Sequence, residues 1–509
     1  MRRSMTAFGV AGVLLLATAC GGGSDDAAGS SGGGGTASLV LAQSGIPISF
    51  DVQGYASGQQ TQYFTAVFDT LLRQDGAGEI VPGVASEWSY DDTRTVLTLT
   101  LNEGITFTDG VALDADAVVA NIEHFRSSST PDLSNAVFVS AVTAVDPTHV
   151  QITLSQPDPM MLNWLTQPLG YMSSPDSWDN PDVATNPVGS GPYILDTKST
   201  VVGSTYEFDK NPDYWDNSFE LYDSLSMNYY ADQSALLNAL QGGQVDAASF
   251  SNFSSLAQVE SAGYDVNTAQ LDWEGLMLLD RDGAIAPELA DVRVRQAINY
   301  AIDKEGILSA ILLDHGTATS QIFGPATDGY VEDLDDAYVY DPDKARDLLA
   351  AAGYSDGIKL SMPSAAALDS SLLTQIQQQL ADVGITVTYT DVGTNLISDI
   401  MGAKYPATWF RLASASDWQT ATFAITPDAL FNSFATTVPE VTELLTTMQT
   451  GSEDEAATAA EDLNRYIVEE AWFAPFYFVD NIYVSKPTVD VTMAADMVVP
   501  YIYLIQPAA

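Results

Sequence analysis

A single cysteine, Cys20, stands in a chain of 509 residues, so no internal disulfide can hold this protein together. Its stability has to come from buried apolar surface. A chain this long exceeds what one hydrophobic core organises, and at least two compact lobes are expected. The material for them is present: 46% of the residues are hydrophobic and 10% aromatic, unlike the composition of disordered chains.

Charge restricts the partners. With 67 Asp and Glu against 18 Lys and Arg, the formal net charge is -49. Nucleic acids and anionic lipids are bound through Lys and Arg that displace counterions, so neither is an expected partner. The acids are spread along the chain without an Asp-x-Asp-x-Asp-Gly calcium loop, and they read as a solvated surface. The densest acidic cluster of the body, Glu332-Asp333-Leu334-Asp335-Asp336, reads as an exposed loop.

At the N-terminus, Arg2 and Arg3 precede an apolar run from Met5 to Ala19 that is too short to span a bilayer as a stable helix. It ends in Leu16-Ala17-Thr18-Ala19-Cys20. Small residues ahead of a lone cysteine resemble the lipobox of bacterial lipoproteins, with Ala17 where that pattern most often has Leu. The resemblance implies a signal peptide over residues 1–19, cleavage before Cys20, and lipid on the Cys20 sulfur. Residues 20–37, rich in Gly and Ser, read as a flexible tether. The expected location is extracytoplasmic, at the cell membrane through the lipid anchor alone.

The folded body opens strand then helix. Ser38 to Ala42 is a short apolar run, and residues 60–72 carry Phe64, Val67, Phe68, Leu71 and Leu72 at helical spacing. Leu97-Thr98-Leu99-Thr100-Leu101 alternates as a half-buried strand does, Asp109-Gly110 is a turn, and Asp114 opens a helix through Ala117, Val118, Ile122 and Phe125. In residues 292–302 the side chains of Val294, Ala297, Ile298 and Ala301 form one helical face, with Arg293 and Arg295 turned away. Asp341-Pro342 starts a further helix and Gly353 stops it.

A succession of motifs accompanies these elements. Ile80 to Trp88 is followed by the Leu-Thr strand and by Asn102-Glu103-Gly104-Ile105-Thr106-Phe107-Thr108-Asp109-Gly110. Then come Asn186-Pro187-Val188-Gly189-Ser190-Gly191-Pro192-Tyr193, Asn211-Pro212-Asp213-Tyr214-Trp215, the run from Ala235 to Asp246, Asp291 to Lys304, and Tyr340 to Tyr354. In this order they resemble the extracellular solute-binding proteins of family 5, the dipeptide- and oligopeptide-binding components of ABC importers. The family carries a basic residue where Glu103 stands here. The resemblance implies an α/β, two-lobed periplasmic-binding-protein-like fold (class II) with an extra inserted subdomain and a ligand cleft between the lobes. Lobe I would comprise residues 38–78, 187–272 and 480–509, the insert 79–186, and lobe II 273–479. Two chain crossings between lobes make a two-stranded hinge suited to closure on a ligand.

Residues 409–423 pack one cation, one anion and two indoles into a polar, loop-like segment, the furnishing of a small-molecule pocket. In peptide-binding members of the family an Asp pairs with the ligand's α-ammonium, and Asp417 takes its place here. The alternative is that Asp417 caps a helix beginning near Gln419. Arg411 either receives a ligand carboxylate or pairs with a protein acid. Trp409 and Trp418 are cleft walls or plain core. Tyr477 stands where relatives present a tyrosine to the ligand, and Trp273 and Tyr55 complete the candidates.

Catalytic patterns are missing from the sequence. His124, His149 and His315 form no local metal motif, the one Gly-x-Ser-x-Gly match falls in the tether at Gly29 to Gly33, and no Walker loop occurs. The expectation is a non-enzymatic solute-binding protein with no catalytic residue, cofactor or metal, a monomer that captures a small molecule, preferably a short peptide. It would deliver this to ABC permease subunits. A non-peptide solute (amine, opine, oligosaccharide or metal chelate) is the alternative within the family, and a lipid-anchored secreted hydrolase the alternative outside it.

Overall fold

In the computed structural model, residues 38–508 are described, apart from 131, 220, 221 and 367. The signal segment, Cys20 and the tether lie outside the described residues. The fold is mixed α/β and is organised by one large sheet. Its strand Leu39–Gln43 is flanked in parallel by Ser224–Tyr229 and Ala247–Ser249. Beyond Ser224–Tyr229 the sheet continues antiparallel through Thr205–Lys210 to Tyr193–Leu195. On the other side, Ala247–Ser249 pairs with the far end of Phe473–Ser485, which runs antiparallel to Asp265–Leu278. Ala407–Ala413 closes that edge against Asp265–Leu278, while Gly316–Ala318 pairs with Phe473–Ser485.

The two long strands carry the chain from one core to another. Beside Ala247–Ser249 the sheet belongs to a core that contains Leu41, Leu225, Met227 and Tyr483. Beyond the register break between Gln270 and Asp272, where Leu271 is left without a ladder partner, the sheet's two faces separate two further clusters. The period of two puts Leu276 and Leu278 in one and Trp273 and Met277 in the other; on the partner strand the register shift at Glu274/Gly275 resets the alternation, so Tyr477 and Val479 join the first and Phe473 and Phe478 the second.

A separate antiparallel sheet, Ala85–Tyr90, Val96–Leu101, His149–Leu154 and Val139–Asp146, shows the expected alternation: Leu97, Leu99 and Leu101 are buried between half-buried neighbours. The helix Ala115–Arg126 is capped by the Asp114 side chain, which accepts from Ala117 N. In the second half, Ile358–Ser364 and Ile385–Asp391 pair in parallel across the helix Ser370–Asp382. The helix Pro342–Ala351 begins at Asp341, and Gly353 follows it at φ +94, a conformation glycine adopts without a Cβ penalty.

Some expectations are corrected. The helix foreseen over residues 60–72 is only Thr61–Val67. Gly191 N–H donates to Val67 O, and the backbone of Gly189 and Gly191 approaches Val67 so closely that a Cβ on either would lie 2.1–2.6 Å from its carbonyl oxygen. The chain leaves the helix extended and delivers Asp69 to a buried junction. There Asp69 Oδ2 accepts from Ser190 Oγ and Trp215 Nε1, and Oδ1 from Tyr214 Oη and Arg73 Nη2. Two of the sequence motifs thus converge on one carboxylate, which explains their residues architecturally. Arg295 does not turn to solvent; it is buried and donates to the carbonyls of Leu289 and Glu470.

Gly275 lies where the two long strands change register, and a Cβ there would sit 2.5 Å from Ala474 O and from Pro475 Cα. Gly275→Ala is expected to cost about 1–3 kcal/mol through overpacking. Thermal unfolding of the variant reads this as a lowered Tm.

Candidate functional site

Beside the Leu271 break, three strands place a row of polar side chains on one sheet face. Glu274 is opposite Arg411 on one neighbour and opposite Tyr477 on the other, and Asp272 lies two residues along the same strand. Arg411 donates from Nε and Nη2 to Asp272 Oδ2 at 2.8 and 2.6 Å, and its Nη1 is 3.6 Å from Glu274 Oε1. Tyr477 Oη donates to Glu274 Oε2 at 3.0 Å. Burial pushes the Glu274 carboxyl above its ordinary range, opposed by Arg411 and by the Tyr477 hydrogen bond. Burial likewise pushes the Tyr477 hydroxyl up, with Glu274 adding to the effect.

The sequence-predicted candidates are thereby sorted. Tyr477 is fully buried, at 0% exposure, with its hydroxyl on Glu274. Arg411 pairs with protein acids, while its side chain keeps 40% exposure. Trp409 packs in the cluster on the same face, and its buried Nε1 has no hydrogen-bond partner. Trp273 is 1% exposed on the opposite face, edge-on to Phe473 at 5.8 Å. It is core there, as Tyr55 is in the first core among Phe64, Phe68 and Tyr171.

Residues 409–423 are not the loop foreseen. They run from the strand Ala407–Ala413 through a short turn into the helix Asp417–Ala424. Ser414 N–H donates to the unpaired Leu271 O at 2.8 Å, which ties the turn to the strand break. Ser416, not Asp417, caps the helix, its hydroxyl accepting from Gln419 N. Asp417 occupies the first helical position and looks to another segment: its Oδ1 accepts from Gly329 N–H at 3.0 Å. Burial pushes its carboxyl up to about 6, against the hydrogen bonds from Thr327 and Gly329 and with Asp328 adding repulsion. Trp418 is partly buried and packs on the cluster of the opposite sheet face.

The rim of the separate antiparallel sheet reaches the same turn. Ser416 Oγ meets Met160 Sδ at 2.7 Å, Gln449 Nε2 donates to Pro157 O at 3.2 Å, and Arg94 Nη1 donates to Gly451 O at 3.1 Å. Residues of this region therefore meet the turn after Ala407–Ala413 at Ser416 and the C-terminal end of the helix Pro439–Thr450 at Gln449 and Gly451. Two cavities lie elsewhere: a solvent-facing groove of about 830 Å³ between the helices Pro439–Thr450 and Glu453–Glu469, and one of about 320 Å³ beside Arg73, Trp215 and Tyr503. Neither is lined by a sequence-predicted site residue, and the paired charges beside the strand break remain the better chemical candidate.

Asp272, Glu274, Thr327 and Gly329 were missed from sequence. Asp272 and Glu274 had a signal, since two acids flanking Trp273 at a spacing of two share one strand face just before the apolar run Leu276-Met277-Leu278. Gly329 had none, because its partner lies 88 residues away. Among the described residues no three of His, Cys, Asp and Glu gather as a metal would require, and no helix is long and apolar enough to cross a membrane.

Comparison with known proteins gives concordant matches. The sequence model of the family described as bacterial extracellular solute-binding proteins, family 5 Middle, matches residues 79–454. Glutathione-binding protein GsiB of Salmonella paratyphi A is 29% identical over 322 residues, 61% of this chain and 61% of its own length. The match therefore spans less than two thirds of that relative. The structure of HbpA2 from Haemophilus parasuis superposes with a TM-score of 0.83 at 18% identity, covering 93% of this chain and 100% of the other. The periplasmic binding protein DppA from Helicobacter pylori, in complex with peptide STSA, superposes with a TM-score of 0.72 at 20% identity, covering 93% and 98%. These structures share the two-lobed fold.

The elevated Asp417 carboxyl has a consequence for stability. A group held at about 6 in the folded state against an ordinary 3.8 binds its proton more tightly when folded, so the native state loses stability as pH rises through that window. Asp417→Asn, which keeps the Oδ1 acceptor, is expected to raise Tm at pH 7 and to leave it unchanged at a pH below the window. Thermal unfolding at the two pH values measures the difference.

Proposed function

Because the chain belongs to the bacterial extracellular solute-binding proteins of family 5, we propose that it captures a small solute in a cleft between two lobes and hands it to an ABC permease. Short peptides are the preferred class. The observation that supports this reading is the position of Asp417, a partly buried carboxylate at the start of the helix that follows an edge strand, close in sequence to the turn tied to the break in the long strands. A carboxylate offers about four lone-pair sites, and Thr327 with the amides of Asp328 and Gly329 leaves part of that capacity open. A ligand ammonium would add a charge-assisted bond in a site of low dielectric. Arg411 is already held by Asp272 and Glu274, and a ligand carboxylate would have to displace Asp272 to reach it.

On this reading lobe I comprises residues 38–78, 187–272 and 480–509, the insert 79–186 and lobe II 273–479, with the long strands as the hinge. Contacts of Met160 and Pro157 with Ser416 and Gln449 then join the insert to lobe II on closure. Solute contacts to both lobes favour the closed state by differential affinity. Residues 1–19 direct export, lipidated Cys20 anchors a monomer at the membrane, and residues 20–37 tether it. The similarity to a glutathione-binding protein makes glutathione, a tripeptide with a free amine, the first probe.

The test is binding of glutathione and trialanine against N-acetyl-trialanine, with an amine, an oligosaccharide and a metal chelate as non-peptide probes, followed by thermal shift and calorimetry. A free-amine peptide is expected to bind, and Asp417→Asn to weaken it by about ten- to a hundredfold, the worth of a hydrogen bond to a charged group. Undiminished affinity in a folded Asp417→Asn protein would remove Asp417 from the site, and binding of non-peptide probes alone would replace the peptide assignment.

A further inference from the structure

Asp417 does not stand alone; the amide it accepts from belongs to a segment held by a buried polar network. Asn464, on the helix Glu453–Glu469, donates from Nδ2 to Gly329 O at 2.8 Å and to Gln321 Oε1 at 2.6 Å. Gln321 brackets Val331, accepting its N–H at 3.0 Å and donating to its carbonyl at 2.8 Å. The same Gln321 Nε2 donates to Asp335 Oδ1 at 2.7 Å, and Asp335 also accepts from Thr319 Oγ1 and Tyr330 Oη, each at 2.5 Å. Lys304 Nζ completes the chain by donating to Thr319 O and Ser320 Oγ. Asn464 and Gln321 are both 0% exposed.

This network corrects the sequence reading of residues 332–336 as an exposed loop. Glu332, Asp333 and Asp336 are exposed, whereas Asp335 turns inward and gathers three side-chain donors. It also explains why residue 329 is glycine. A Cβ there would lie 2.8 Å from Asp417 Oδ1, 2.6 Å from Phe323 Cδ1 and 3.1 Å from Ala460 Cβ. The amide can reach the carboxylate only along a bare backbone whose carbonyl is pinned on the other side by Asn464.

We propose that Asn464 and Gln321 are positioning residues for Asp417: by fixing both ends of residues 329–331 they aim the Gly329 N–H at Asp417 Oδ1 and so set the direction in which the carboxylate faces a solute cation. This rests on the reading of Asp417 as the cation subsite, and it adds residues that touch neither the solute nor Asp417. A buried polar network suits the task, because losing Asn464 or Gln321 leaves buried partners unsatisfied and releases the segment they hold, although Asn464 Oδ1 itself has no hydrogen-bond partner. Preorganised carboxylates bind cations without reorganising on contact.

The experiment needs no solute. In the labelled full chain, the Gly329 amide resonance is followed by ¹H–¹⁵N NMR as a function of pH. An amide that donates to a titrating carboxylate shifts when that carboxylate ionises, so the wild-type resonance is expected to titrate and Asp417→Asn to abolish the shift. Asn464→Ala is expected to lose most of the titration amplitude while the rest of the spectrum is retained. Gln321→Glu, of the same shape but without the Nε2 donor, is expected to do the same and serves if Asn464→Ala fails to fold. A Gly329 titration unchanged in a folded variant would overturn the proposal, as would a wild-type resonance indifferent to Asp417. Failure of Asp417 to bind a solute amine would appear only in the binding measurements, so the two readings fall separately.

Discussion

The antiparallel pairing of Asp265–Leu278 with Phe473–Ser485 carries the most weight in this molecule. It is the one ladder that runs from the core around Leu41 and Met227 to the clusters around Leu276 and Phe478. With no disulfide open to the chain, these backbone hydrogen bonds and the side chains on both faces hold the two ends of the sheet together. The ladder is interrupted at Leu271, and the interruption is not left empty: the Leu271 carbonyl accepts from Ser414 N–H, the first residue of the turn that leads to Asp417. The strand break and the turn that leads to Asp417 are thus tied together by one backbone hydrogen bond. Connecting strands that bend at a break of this kind are one of the known means by which lobes move about a ligand.

Electrostatics explain why the site can exist in a chain of net charge -49. Asp272 and Glu274 would repel one another on a common sheet face, and Arg411 stands between them in the next strand to offset the repulsion. Half-exposed as it is, Arg411 is screened by solvent, so its worth lies more in fixing geometry than in stability. Asp417 has no such cation; backbone N–H and hydroxyl donors are what it has, and they leave its carboxyl at about 6. A partly buried carboxylate with no cation among its described partners is held in its less favoured charged form at neutral pH.

Much of this was legible in the chain. The apolar periodicities placed the strand near Leu39, the Leu-Thr strand, and the helices opened by Asp114 and Asp341. The ordered motifs led to family 5, and the segment with Trp409, Arg411 and Asp417 could be singled out from its mixture of charge and indole. What failed did so where a distant contact overrode a local signal. The helix after Thr61 stops at Val67 because the distant Gly189 and Gly191 press on it, and Arg295 is drawn inward by carbonyls of Leu289 and Glu470. Asp335 read as a surface acid because nothing near it in sequence reveals that Thr319, Gln321 and Tyr330 converge on it.

The sequence by itself determined which residues must be buried, how the elements alternate, the acidic surface, and the family, since these depend on side-chain type and short-range spacing. Only the tertiary structure decided which candidates became core and which met polar partners. Trp273 and Glu274 are adjacent in the chain, yet one lies in the core and the other joins Arg411 and Tyr477, because successive residues of a strand point to opposite faces. It also decided that Ser416 caps the helix and so leaves Asp417 to the Gly329 amide. That pairing depends on a backbone approach between segments remote in sequence, which no local pattern encodes.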